Sequence, residues 1–210
     1  MAERIDLDGL AERLAASQGP GRRIVAVAGA PGSGKSHVAD ALAARLAGRI
    51  ATDVLPMDGF HYDDTLLEAR GHRSRKGAPH TFDVDGLAAM LARLRADDGR
   101  DVAVPVFDRS IEIARAGARI IAADTRLVIV EGNYLLLDDP AWAPLAPQFD
   151  LTAFLSVPET ELARRLRARW EGYGLGPAEV VAKLEENDLP NARRVVHGSR
   201  PADFIIENYD

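Results

Sequence analysis

Gly29-Ala30-Pro31-Gly32-Ser33-Gly34-Lys35-Ser36 stands between Arg23-Ile24-Val25-Ala26-Val27-Ala28 and a segment where Val38, Leu42 and Leu46 recur every fourth residue. The first flank reads as a buried strand, the second as a helix that stops near Gly48. The octet between them is a complete G-x-x-x-x-G-K-[ST] in the strand-to-helix setting that gives this pattern its meaning. Its glycines let successive backbone N–H groups turn inward, and the helix start adds unpaired donors and the positive end of its dipole. A cradle for the phosphates of ATP follows, formed by Gly29, Ala30, Pro31, Gly32, Ser33, Gly34, Lys35 and Ser36 with His37 beside them. Lys35 would reach the β- and γ-phosphates and share in catalysis, while Ser36 offers a hydroxyl oxygen to Mg2+. The competing reading is a glycine-rich turn that binds nothing.

Working outward, Leu7, Leu10 and Leu14 mark a helix closed by the breaker Gln18-Gly19-Pro20-Gly21. Val54-Leu55-Pro56-Met57 is a candidate strand, a long polar segment fills 58–83, and Leu87, Leu91 and Leu94 mark a helix over 84–94. Further strands are expected at 101–106, 126–130, 151–157 and 203–206, with a helix over 158–170. Alternating strands and helices predict an α/β protein of the P-loop NTPase fold, a doubly wound parallel sheet with helices on both faces. Residues 1–210 read as one domain with a small helical lid at about 158–195.

Composition narrows the function. The 210 residues are 47% hydrophobic and 28% charged, with no cysteine and a formal net charge of −6. That balance disfavours a nucleic-acid partner, which usually needs a broad basic surface. No apolar run approaches the roughly 18 residues of a membrane span, and the first residues are charged rather than signal-like. A cytoplasmic monomer or homodimer acting on a small molecule is the expectation. His61, His72 and His80 lack the spacing of a zinc site, so any metal takes oxygen ligands.

In a doubly wound sheet, ligands gather at the C-terminal ends of the strands. Asp58 follows Met57 there and Glu131 follows Val130, both facing the crevice of Lys35. Asp58 is read as the base that accepts a hydroxyl proton and Glu131 as a support for Mg2+ and substrate, roles that are exchangeable on sequence alone. On the helix 158–170, Arg165 and Arg169 share a face and are candidate phosphate clamps from a lid, Arg169 as a catalytic group and Arg165 on ATP; a merely solvated face is the alternative. In the long segment, His61, Tyr62 and Lys76 are candidate substrate contacts. No N-K-x-D block appears for guanine, and Glu131-Gly132 stands where motor ATPases carry an acidic pair.

Several blocks together resemble the P-loop metabolite kinases that include uridine kinase, phosphoribulokinase and the bacterial type of pantothenate kinase. They are GAPGSGKS (29–36), MDGFHYD (57–63), RKGAPHTFD (75–83), VPVFDRS (104–110), VIVEGNYLLL (128–137) and NDLPNARRV (187–195). The last block, with SRPADFII (199–206), is similar to bacterial proteins labelled fructose transport system kinases or nucleoside kinase-like proteins. The resemblance implies a kinase using ATP and Mg2+, with Asp58 as proton acceptor and Glu131 near magnesium and substrate; Arg109, at the end of the VPVFDRS block, is a further candidate substrate contact. Departures at His61 and after Asp108 set the acceptor apart from uridine. Two readings remain at this point: transfer of the γ-phosphate to a hydroxyl of a sugar such as fructose or a nucleoside-like compound, or an ATP-binding accessory protein of a sugar transport system without turnover.

Overall fold

The computed structural model describes residues 2–17, 19 and 21–208, so Gln18 and Pro20 of the expected breaker lie outside the described residues. A two-residue strand, β1 (Glu3–Arg4), precedes helix α1 (Leu7–Ala16), which is capped where the Gly9 N–H donates to Asp6 Oδ1 at 2.7 Å. Strand β2 (Arg23–Gly29), helix α2 (Lys35–Leu46) and strand β3 (Thr52–Pro56) follow. The polar stretch 58–83 is more ordered than its composition suggests. It holds a 3-10 turn at Met57–Phe60, helix α3 (Asp64–Ala69) capped by Asp63, and two further 3-10 turns. Helix α4 (Val84–Arg95) leads into β4 (Val102–Asp108) and β5 (Ile113–Ile121), then β6 (Leu127–Gly132) and β7 (Leu151–Ser156). Helices α5 (Glu159–Gly172) and α6 (Pro177–Lys183), a π turn at Leu184–Asp188, helix α7 (Leu189–Gly198) and strand β8 (Phe204–Glu207) complete the described chain.

Six strands form one parallel sheet in the order β1-β8-β7-β2-β6-β3. Alternation along β2 assigns its two faces. Ile24, Ala26 and Ala28 pack with Leu87, Leu91 and Leu94 of α4, whereas Val25 and Val27 pack with Leu10 and Leu14 of α1 and with Val38, Leu42 and Leu46 of α2. Each position of β6 is buried, as expected for a strand covered on both sides. The α/β architecture inferred from the sequence is the one observed.

One expected strand has a different place. The segment 101–106 becomes β4, which pairs antiparallel with β5 in a separate two-stranded sheet rather than joining the parallel one. Its register shifts between Val104 and Val106, around Pro105, which has no N–H to give a ladder. The hairpin rests on the 3-10 turn after β3 so closely that a Cβ on Gly59 would sit 2.6 Å from the Pro105 carbonyl oxygen. Among the described residues no helix is long and apolar enough to cross a membrane, and no cluster of three or more His, Cys, Asp or Glu could hold a metal by itself.

Candidate active site

The C-terminal ends of β2, β3 and β6 open into one cleft of about 360 Å3. On its floor, Gly32 (φ 81°) and Gly34 (φ 88°) take left-handed backbone that other residues rarely adopt. A Cβ on Gly34 would meet Asn208 Nδ2 at 2.7 Å, so the loop is curled as tightly as glycine allows. Helix α2 begins at that point with no side-chain cap and no acidic residue in its first turn. Its first N–H groups and dipole are therefore available to an anion. This loop is braced from behind: Asn208 Nδ2 donates to the Ser33 carbonyl (2.7 Å), and Arg165 Nη2 donates to the Asn208 carbonyl (2.9 Å).

Lys35 folds back over the loop and donates to the Ala30 carbonyl at 2.9 Å. Burial pushes its ammonium down to about 8, although Glu131 and Asp58 pull the other way. Phosphate charge beside it would favour the protonated form. Ser36 donates its hydroxyl to Glu131 Oε1 at 3.0 Å. Burial and then the neighbouring Asp58 hold the Glu131 carboxyl well above the usual carboxylate range. An adjacent hydroxyl and carboxylate, both oxygen donors beside an anion cradle, fit a hard cation such as Mg2+ that retains most of its waters.

Asp58 sits in the 3-10 turn that ends β3, and Arg109 Nη2, from just beyond β4, donates to its Oδ2 at 2.6 Å. His61 Nδ1–H donates to the Asp58 carbonyl at 2.8 Å, because a carbonyl can only accept. That hydrogen bond fixes the tautomer and leaves Nε2 as an acceptor. Burial lowers the pKa of the ring, which favours its neutral form. His61 lies against Phe82 and Phe107, with ring centroids 4.1 and 4.7 Å away. Lys76 reaches the same region but is engaged, its Nζ lying 2.6 Å from Asp64 Oδ1 and 2.7 Å from the Glu112 carbonyl.

Of the candidate residues, Pro31, Gly32, Gly34, Lys35, Ser36, His37, Asp58, His61, Lys76, Arg109, Glu131 and Arg169 all line this cleft. Gly29, Ala30 and Ser33 form the back of the loop and do not. Among the described residues no carboxylate lies within ion-pair distance of Arg169, which lines the cleft near Asp188. Two candidate residues lie off the cleft lining. Arg165 is not beside Arg169 over the opening: its Nε is held by Glu161 Oε1 at 2.6 Å and its fork braces the loop from outside. Tyr62 also lies outside, its ring 5.0 Å below the Arg70 guanidinium, because the chain turns into α3 immediately after His61. Trp170, Asp188 and Asn191, which the sequence does not single out as site residues, also line the cleft.

The family model described as phosphoribulokinase / uridine kinase family matches residues 24–206. The chain belongs to this family. A crystal structure from Silicibacter sp. TM1040, provisionally named a fructose transport system kinase, superposes with a TM-score of 0.90 at 42% identity, covering 96% of this chain and 98% of that one. The protein YggC of Escherichia coli (strain K12) is 39% identical over 189 residues, 89% of this chain and 78% of its own length. A pantothenate kinase of Sorangium cellulosum is 32% identical over 151 residues, 69% of this chain, which spans about half (49%) of that enzyme. This family member is thus a small-molecule kinase of the P-loop fold that uses ATP.

Proposed function

We propose that the chain transfers the γ-phosphoryl group of magnesium-bound ATP to a hydroxyl of a small sugar, such as fructose, or of a nucleoside-like compound. The observation that carries the reading is the convergence of Lys35, Ser36, Asp58 and Glu131 on one cleft from the ends of three neighbouring strands. Lys35 and the first N–H groups of α2 bind the phosphates, and Arg169 meets charge that spreads over the transferring group. Ser36 and Glu131 would hold Mg2+, which when bound shields the phosphate oxygens and helps orient them. Arg109 clamps one Asp58 oxygen, leaving the carboxylate to accept the acceptor's proton. The acceptor oxygen forms a bond to the γ-phosphorus, the bond from that phosphorus to the β–γ bridging oxygen breaks, the proton goes to Asp58, and ADP leaves.

The test is ADP release by the purified chain with ATP and Mg2+ over a panel of sugars and nucleosides, with 31P NMR of the product. A stimulated rate and a phosphate ester are expected for at least one acceptor. ATP binding with no stimulation across the panel would instead identify an accessory protein and overturn the reading.

A further inference from the structure

We infer that the end of the cleft away from the phosphate loop receives an uncharged, multiply hydroxylated molecule, and that Asp188 and Asn191 hold it by accepting its hydroxyl protons. This deepens, and rests on, the phosphotransfer reading above. The π turn between α6 and α7 brings Asn187, Asp188 and Asn191 inward, 8%, 9% and 3% exposed. Their orientation follows from one fixed point. The Lys76 carbonyl can only accept, so Asn187 Nδ2 faces it (3.0 Å) and Asn187 Oδ1 is turned to Asn191, whose Nδ2 donates to it (3.1 Å). The oxygen of Asn191 is thereby left as an acceptor. Trp170 Nε1 donates to Asp188 Oδ2 at 2.6 Å, which leaves the second carboxylate oxygen with lone pairs to offer. His61 Nε2 adds a third acceptor.

Which charges are free decides the class of ligand. Of the charges lining the cleft on this side, Asp58, Glu112 and Asp188 are matched in number by Lys76, Arg109 and Arg169, so the groups left open set the preference. Lys76 and Arg109 are already engaged, by Asp64 and Asp58, each at 2.6 Å, and Arg169 is assigned above to the transferring group. A carboxylate or phosphate seated against Asp188, Asn191 and His61 Nε2 would meet lone pairs and a negative charge, with Lys76 and Arg109 already taken. A hydroxyl needs only lone pairs, and these three groups supply them. Phe82 and Phe107 line the cleft beside His61 and add apolar surface there, with Lys76 and Arg109 lying over the Phe107 ring.

The test measures binding apart from turnover. The protein, loaded with Mg2+ and a non-hydrolysable ATP analogue, is titrated with D-fructose, D-ribose and uridine, and with their charged counterparts D-gluconate, D-glycerate and fructose 6-phosphate. At least one uncharged ligand is expected to bind more tightly than every charged one. Asn191→Leu should weaken it by about tenfold or more, since a buried hydroxyl then loses its partner, while leaving analogue affinity unchanged. Asp188→Asn keeps an oxygen for Trp170 but removes a charge, so the gluconate to fructose affinity ratio should rise by about tenfold. Preferential binding of a charged ligand, no binding of any uncharged one, or an unmoved affinity in Asn191→Leu would overturn the inference. ADP release with ATP, run alongside, reads the phosphotransfer step separately: tight binding of a sugar without release would sink that reading and leave this one standing.

Discussion

The two ends of the cleft are built in opposite ways. The phosphate end is eight consecutive residues whose backbone, curved by Gly32 and Gly34, presents the groups available to an anion. The acceptor end is assembled from side chains of distant segments: Asp58 and His61, Lys76, Phe107 and Arg109, Trp170, and Asp188 with Asn191. A site made of main-chain curvature is local in the chain, tolerates few substitutions and suits a ligand common to many reactions. A site made of converging side chains depends on tertiary packing, and can be rebuilt for a new substrate without disturbing the first.

The strongest blow to that division would come from Lys35→Ala. Loss of its charge should lower kcat/KM by about 10³-fold and weaken nucleotide binding, measured by coupled ADP release and nucleotide titration; a variant within a few-fold of the parent would show that the loop is not the donor site. Asp58→Ala should reduce kcat by about 10²-fold while sparing ATP affinity. Equal loss of ATP affinity in both variants would erase the boundary between the two ends. A pair of glycines sharpens it further. Gly34→Ala forces an L side chain into left-handed backbone and against Asn208, so nucleotide affinity should fall by about tenfold with acceptor affinity retained. Gly59→Ala presses instead on the Pro105 carbonyl and displaces the hairpin that carries Phe107 and Arg109. It should raise acceptor KM, leave ATP KM alone, and cost about 1–3 kcal/mol in denaturant unfolding.

The smallest effect concerns pH. Burial depresses the pKa of His61 in the folded state below its unfolded value of about 6.5. Below that pH the unfolded chain binds the extra proton, so the stability associated with a neutral His61 is present above about pH 6.5 and lost as pH falls toward the folded value. His61→Gln should flatten that acid limb in urea titrations, and an unchanged slope would remove His61 as its source.

What the sequence discloses follows the same division. The octet 29–36, the buried runs of β2 and β6 and the two strand-end carboxylates were readable because each signal is contiguous or sits at a defined place in the topology. Strand β5 was not: its Ala114, Ala116, Gly117 and Ala118 are small and mostly exposed, so it lacks the period-two alternation that marks a half-buried strand. Without β5 in view, β4 reads as a member of the main sheet. Asp188 and Asn191 carried no periodic sign either, because the π turn alters the helical spacing and their role arises only when Lys76 and Trp170 come near. Arg165 and Arg169 part company for a related reason. Four residues apart on one helix gave them a common face, but the Glu161 carboxylate, one turn earlier, captured the first of them.

The brace behind the phosphate loop ties residue 208 to Ser33 across nearly the whole length of the polypeptide. Purification handles fused after the last strand, or trimming back to residue 207, would therefore tug on the grip for nucleotide from the opposite terminus. A handle placed ahead of α1 avoids that route, so affinities measured on carboxy-terminal fusions should be compared with the untagged chain before they are credited to the loop itself.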